Sequence, residues 1–190
     1  MLVIERDDYQ HMRWKNGAGF TTQIAIHPAD ATADNFDWRV SMAAVNADGP
    51  FSTFPGIDRT LVVLEGVGID LCVGGNRARR LTSSSAPFTF AADANTSATL
   101  IDGAILDLNI MTRRDRFNHI VEKACESATW AKVSGTVIVF AHGASLQIDN
   151  GFHSCRIKAG DTAGFDNGGT DLNIATSGPG NYYVIAMRKL

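Results

Sequence analysis

The chain has 190 residues, of which 19% are charged, and its formal net charge is -3. So mild a charge argues against bulk electrostatic binding to nucleic acid or to a membrane surface, and this length can bury a core without disulfide bonds. The three cysteines lie far apart and form no CxxC motif, which argues against a zinc knuckle or a disulfide framework. No secretory leader and no apolar run of transmembrane length is visible, so we expect a cytoplasmic protein.

Short alternating or apolar segments, separated by turns rich in Gly, Pro, Asn and Asp, follow one another along the whole chain. No segment has a long apolar period of the helical kind, so the pattern predicts strands throughout. The predicted strands are residues 2–4, 21–26, 37–45, 60–64, 67–73, 87–90, 96–101, 104–111, 118–124, 128–133, 137–141, 145–148, 154–157, 162–165, 172–175 and 182–187. Many short strands at regular spacing are typical of a sandwich or a barrel.

A weak internal repeat indicates how these strands are organised. Three stretches of the first half reappear in the second half at nearly one offset of about 76 residues, as in a duplicated unit. The matched pairs are residues 61–66 with 138–143, Phe90 with Phe165, and 107–111 with 183–187. We therefore predict an all-β bicupin of two jelly-roll units, residues 1–115 and 116–190.

Polar residues alternate with apolar ones on two predicted strands of the first unit. Strand side chains point to opposite faces in turn, so Arg39 and Ser41 share one face of their strand. By the same alternation, Asp107 and Asn109 share a face of theirs, and Arg59 opens the apolar strand 60–64. A buried Arg or Asp is costly unless it is paired. Either Arg39 or Arg59 forms a structural ion pair with Asp107, or the whole group lines a ligand pocket.

We favour the pocket, because further binding groups precede and begin the strand 21–26. Arg can grip a carboxylate through two parallel hydrogen bonds, and neutral side chains can add to that grip. Asn16 could donate such bonds, Trp14 could form a ring wall, and Thr21 lies at the start of the strand.

Metal and nucleophile chemistry have little support in the sequence. The five histidines form neither HxH nor HxxxH, so a set of converging metal ligands is not indicated. No GxSxG elbow is present, and no glycine-rich loop precedes a helix. We assign no catalytic residue, no metal and no cofactor.

The residues singled out above resemble motifs of the HutD/Ves family. The resemblance lies in residues 14–21 (WKNGAGFT), in most of residues 36–66 (with WRVSMA and DGPFSTFPGIDR), and in residues 107–114 (DLNIMTRR). It spans roughly the first 115 residues, and beyond them only the overall pattern is similar. Ala18 stands where the family usually has Gly, and Gln23 where Glu is common, so the ligand preference of this chain can differ.

The resemblance implies a bicupin with a metal-free small-molecule pocket in its N-terminal unit. It also implies a link to histidine utilisation, with a ligand such as formylglutamate or urocanate, or to stress response. The family motifs place the ligand-binding residues at Trp14, Asn16, Thr21, Arg39, Ser41, Arg59, Asp107 and Asn109.

We therefore expect a carboxylate-binding protein with a regulatory role. The alternative is a metal-independent isomerase or lyase that acts on a small acid, with Asp107 as general base and Arg39 or Arg59 as electrostatic clamp. We expect neither a nucleic-acid nor a membrane partner. Exposed edge strands make a homodimer possible.

Overall fold

The computed structural model describes residues 1–13 and 20–190, and strands dominate them. The strands are β1 (Leu2–Ile4), β2 (Gln10–Arg13), β3 (Phe20–His27), β4 (Trp38–Val45), β5 (Gly49–Pro50), β6 (Ile57–Glu65), β7 (Ile69–Val73), β8 (Arg79–Leu81), β9 (Phe88–Ala91), β10 (Thr96–Leu100), β11 (Ile105–Arg113), β12 (Phe117–Ala124), β13 (Ala128–His142), β14 (Ser145–Asp149), β15 (Ser154–Ile157), β16 (Thr162–Ser177) and β17 (Asn181–Lys189). A short 3₁₀ turn, Arg6–Asp8, follows β1. In the described part of the chain, no helix has the length and apolarity needed to span a membrane. The all-β prediction is confirmed.

The chain divides into two compact units. Gln10–Phe117 form the N-terminal unit, and Asn118–Leu190 form the C-terminal unit together with Met1–Tyr9. The first residues belong to the later unit because β1 pairs with β16, with Leu2 opposite Gly164. The sequence pattern did not indicate this pairing.

The N-terminal unit contains two sheets that share one core. The six-stranded sheet has the order β2-β3-β4-β11-β6-β9, and the four-stranded sheet has the order β5-β10-β7-β8. Leu61 and Val63 of the first sheet pack in one buried cluster with Ile69 and Leu71 of the second. The face of β6 that holds Leu61 and Val63 therefore points between the sheets, and we call it the inner face of the six-stranded sheet.

Both faces of the central strands of this sheet are buried. On β11, Leu108 and Ile110 are fully buried on the side opposite the inner face. On β4, Val40 is equally buried on that same opposite side. Burial on both faces explains why β6 reads as an almost continuous apolar run rather than as an alternation.

The strands of the C-terminal unit form one sheet, with the order β12-β17-β13-β16-β14-β15. Its stretch β12-β17-β13-β16 follows the same path as β4-β11-β6-β9, with β17 and β13 in the places of β11 and β6. The repeated segments noted in the sequence lie in these corresponding strands. The predicted bicupin architecture is confirmed, with cupin-fold neighbours described below.

Two predicted breaks in the C-terminal unit are wrong. Residues 128–133 and 137–141 are parts of one strand, β13, and residues 162–165 and 172–175 are parts of another, β16. Their pairing shifts register near Val133, and Gly135 and Gly169 have φ of +98° and +91°. Glycine tolerates such angles: Gly169 is the extra residue of a bulge in β16, and Gly135 stays paired opposite Asn167, so both lie inside paired strands rather than in turns between them.

Candidate functional site

Five of the predicted ligand-binding residues lie together on the inner face of the N-terminal unit. On β11, Asn109 stands opposite Ser41 of β4 on one side and Leu61 of β6 on the other. Arg39 of β4 and Arg59 of β6 both stand opposite Met111, so the two arginines flank β11 from either side. Gln23 of β3, which stands opposite Ser41, adds a sixth polar side chain. We call these residues the inner polar cluster: Gln23, Arg39, Ser41, Arg59, Asp107 and Asn109.

A chain of hydrogen bonds links three members of the inner polar cluster. Arg59 donates from Nε and Nη2 to Oδ1 of Asn109, at 2.8 and 2.5 Å. Asn109 in turn donates from Nδ2 to Oδ1 of Asp107, at 2.6 Å. Asn109 is therefore an intermediary between the guanidinium and the carboxyl group. The direct Arg–Asp ion pair weighed from the sequence is not found among the described residues.

Aromatic rings hold Arg59 in place. Its guanidinium carbon lies 4.6 Å from the ring centre of Phe51 and 5.9 Å from that of Phe90. Cation–π contacts of this kind favour a charged guanidinium even where water is excluded. Burial nevertheless lowers the pKa of Arg59 to about 10; the charge of Asp107 opposes this shift and that of Arg39 adds to it. At neutral pH, Arg59 is a cation.

Asp107 is the most deeply buried ionisable member of the inner polar cluster. It is 0% exposed, and its Oδ2 atom has no hydrogen-bond partner within the described residues. Burial raises the pKa of Asp107 to about 6, although the charge of Arg59, the hydrogen bond from Asn109 and the backbone N–H of Ala43 all pull it down. Near neutral pH this carboxyl group is therefore close to its titration range.

Arg39 is held by a neutral partner. Its Nε donates to Oε1 of Gln23 at 3.1 Å, and Gln23 donates from Nε2 to Oε1 of Gln10 at 3.3 Å. Burial lowers the pKa of Arg39. The neutral amide of Gln23 therefore orients Arg39 but leaves its charge uncompensated. A carboxylate at position 23 would neutralise that charge.

The inner polar cluster has an excess of buried positive charge. Arg39 and Arg59 are only 6% and 8% exposed, and burial disfavours ionisation of the one carboxyl group in the cluster, Asp107. Each described side-chain hydrogen bond of the two guanidinium groups goes to an amide. Buried charge without a counter-charge is unfavourable, so an anion that enters the cluster would be stabilised.

The remaining predicted residues lie at or beyond the edge of what is described. Trp14 and Asn16 fall outside the described residues. Thr21 is half-buried on β3, opposite Ala43, and so shares the inner face with the inner polar cluster.

Sequence reasoning missed Phe51, Phe90 and the role of Gln23 as a partner of Arg39. Phe51 follows the short strand β5 and Phe90 lies in β9 opposite Arg59, and no sequence period indicates that they converge on one arginine. Gln23 lies two residues after Thr21 on the same strand, so alternation could have placed it on the inner face.

The corresponding strands of the C-terminal unit have an apolar inner face. On β17, Val184 and Ala186 stand opposite Val139 and Val137 of β13, and all four belong to or pack against one hydrophobic cluster. On β11 of the N-terminal unit, the face that points between the sheets instead has Asp107 and Asn109. The structure therefore places the polar chemistry of this strand pair in the N-terminal unit alone.

A search for groups of three or more His, Cys, Asp or Glu side chains that could hold a metal ion finds none in the described ranges.

Comparison with known proteins places the chain in a family. The model of the HutD family matches residues 6–183. Protein Ves of Citrobacter koseri is 42% identical over 132 residues, which are 69% of this chain and 68% of that protein. An uncharacterised 21.2 kDa protein of Pseudomonas putida, named for its place in the hutC 3′ region, is 33% identical over 148 residues, 78% of this chain and 77% of its own.

Solved structures agree with this assignment. A structure of HutD from Pseudomonas fluorescens, described as a formate condition, has a TM-score of 0.86 and 28% identity and covers 100% of this chain and 98% of that one. A cupin 2 conserved barrel domain protein from Leptotrichia buccalis has a TM-score of 0.59 at 11% identity and covers 98% of this chain and 96% of that one. The second likeness shows the cupin fold alone.

Proposed function

The chain belongs to the HutD family, and we propose that its inner polar cluster binds the carboxylate group of a small organic acid. One observation supports this above all others: among the described residues, the two buried arginines Arg39 and Arg59 have amide partners and no carboxylate within ion-pair distance. A ligand carboxylate would supply the missing counter-charge. Arginine suits this role because its planar N–H groups match a carboxylate in two parallel bonds.

The cluster is already arranged for such a ligand. The hydrogen bonds to Asn109 use Nε and Nη2 of Arg59, and Nη1 takes part in none of the described bonds. Phe51 restricts the plane of the guanidinium group. Groups held in place before binding lose little conformational entropy when the ligand arrives.

We further propose that binding serves regulation of histidine utilisation. The relative in Pseudomonas putida is named for its place in the hutC 3′ region, and the HutD family is linked to that gene context. Acids of that pathway, such as formylglutamate or urocanate, are therefore the first ligands to test.

Thermal unfolding tests the proposal directly. A carboxylic acid that binds should stabilise the fold, by about 2.7 kcal/mol at a hundredfold excess over its Kd. The screen should include formylglutamate, urocanate and acetate. Each acid is paired with a neutral amide of the same shape, for example acetate with acetamide. We expect stabilisation by at least one acid and none by its amide. Equal effects of acid and amide, or no effect of any acid, would contradict an anion site.

One observation favours a second candidate, a metal-independent isomerase or lyase. Asp107 has a raised pKa and an unpartnered Oδ2 atom, and both features suit a general base. Such an enzyme should convert one of the acids it binds, and Asp107→Asn should abolish turnover while binding persists. If bound acids are recovered unchanged after long incubation with the wild-type protein, this candidate is excluded for those acids.

A further inference from the structure

The Oδ2 atom of Asp107 is a buried acceptor that no described residue satisfies. Asp107 is completely buried, and this oxygen has no hydrogen-bond partner among the described residues. A buried carboxylate oxygen without a donor is costly, and such atoms in native proteins call for an explanation. The two residues opposite Asp107 in the sheet, Ala43 and Val63, have no polar side-chain atom to offer. The backbone N–H of Ala43 lies near the carboxyl group but makes no hydrogen bond to Oδ2.

The neighbours of Asp107 are already committed elsewhere. The amide oxygen of Asn109 accepts both bonds from Arg59, so its amide nitrogen must be the atom that faces Oδ1 of Asp107. Turning the amide over would set its nitrogen against the donors of Arg59. Asn109 also separates Arg59 from Asp107, so the arginine does not supply the missing donor. No described side chain of the cluster donates to Oδ2, so this acceptor is available to a donor group of a ligand.

We infer that the ligand has a hydroxyl or N–H group near its carboxylate, and that this group donates a hydrogen bond to Oδ2 of Asp107. The inference rests on the proposed function, because it takes the arginines as the carboxylate site. Arg59 and Asp107 are joined through one asparagine side chain, so the two ligand groups are separated by only a few bonds. The ligand class is thus a small hydroxy acid or an acid with a nearby amine or amide N–H.

Three simple acids test this subsite in the wild-type protein. Acetate has the carboxylate alone, glycolate adds a hydroxyl donor, and methoxyacetate replaces that donor with an ether oxygen. Kd values are measured at slightly alkaline pH by following backbone amide resonances during titration, which detects weak binding. We expect glycolate to bind about tenfold more tightly than methoxyacetate, a difference of about 1.4 kcal/mol.

The variant Asp107→Asn should remove this preference. Asn109 still donates toward the former Oδ1 position, so the new amide oxygen should stay there and its nitrogen should take the Oδ2 position. An N–H in that place can donate to the hydroxyl oxygen of glycolate and to the ether oxygen of methoxyacetate alike, because both oxygens accept hydrogen bonds. We therefore expect methoxyacetate and glycolate to bind the variant about equally tightly. If the variant fails to fold, the ranking in the wild-type protein decides alone.

The possible outcomes separate the two proposals. Equal binding of all three acids to the wild-type protein would overturn the donor subsite and leave the carboxylate site intact. Binding of none of them, with no stabilising acid in the thermal screen, would overturn the carboxylate site itself. Tighter binding of glycolate that Asp107→Asn leaves unchanged would place the donor contact on another residue and also overturn the inference.

Discussion

Replacing Arg59 with methionine should weaken the binding of small carboxylates by about a hundredfold or more. Removing one partner of a buried, hydrogen-bonded charge pair usually costs roughly 2–5 kcal/mol of binding free energy. Arg59 is only 8% exposed, and Asn109 and the Phe51 ring fix its orientation. The variant therefore loses one of the two placed cations of the inner polar cluster, and Arg39 remains as the other.

The same substitution should change the stability of the ligand-free protein little. Arg59 has no carboxylate within ion-pair distance among the described residues, so the wild-type protein bears the cost of burying its charge. Methionine removes that cost but leaves Oδ1 of Asn109 without its donor, which costs about 1–3 kcal/mol, so the two effects oppose each other. Chemical denaturation without ligand and titration with ligand thus separate a binding role from a structural one.

A matched control is available on the surface of the same unit. Arg114 forms ion pairs with Asp58 and Asp93, and its side chain is 43% exposed. Arg114→Met should leave carboxylate binding unchanged. Wild-type affinity in Arg59→Met, or an equal loss in both variants, would contradict the assignment of Arg59.

The free energy of unfolding should depend on pH through the titration of Asp107. Burial raises its pKa from 3.8 to about 6 in the folded protein. A raised carboxyl pKa means that the folded state binds the proton more tightly than the unfolded state does. The stabilisation from protonation is therefore complete below about pH 4 and is lost as the pH rises through about 6. A shift of this size corresponds to about 3 kcal/mol.

The comparison of wild type with Asp107→Asn isolates this contribution, because the amide does not titrate. The difference in free energy of unfolding between the two proteins should shift against the wild type as pH rises from about 4 to above 6. Arg59 stays charged throughout, since its pKa is about 10. A difference that stays flat over this range would show that Asp107 titrates normally.

Asp70 provides a control of opposite sign. It is hydrogen-bonded to Arg80 in an exposed ion pair, and this lowers the pKa of Asp70. Its contribution is therefore present above its unfolded pKa and is lost as the pH falls. The comparison of wild type with Asp70→Asn should accordingly show a small change in the opposite direction, at lower pH.

Strand alternation was enough to predict the faces of the site but not its bonds. Arg39 with Ser41, and Asp107 with Asn109, lie on shared faces because side chains repeat every two residues. The same rule cannot say which donor meets which acceptor across strands. Hence the sequence left open an ion pair between arginine and Asp107, while the structure places Asn109 between Arg59 and Asp107.

Two glycines explain why the sequence predicted strand breaks where the C-terminal unit has continuous strands. Gly135 and Gly169 read as turn residues, yet the strands around them continue through β13 and β16. A glycine with positive φ is compatible with a turn and with a bulge, and only long-range pairing distinguishes them. The convergence of Phe51 and Phe90 on Arg59 was hidden for the same reason, because it depends on contacts between distant segments.

A crystal structure with the tightest acid of the thermal screen tests the central claim most directly. We predict that the ligand carboxylate lies on the inner face of the N-terminal unit, within hydrogen-bond distance of a guanidinium nitrogen of Arg59 or Arg39. A donor of the ligand, where it has one, should then meet Oδ2 of Asp107. A ligand bound elsewhere, with the inner polar cluster unchanged and empty, would contradict the proposed site.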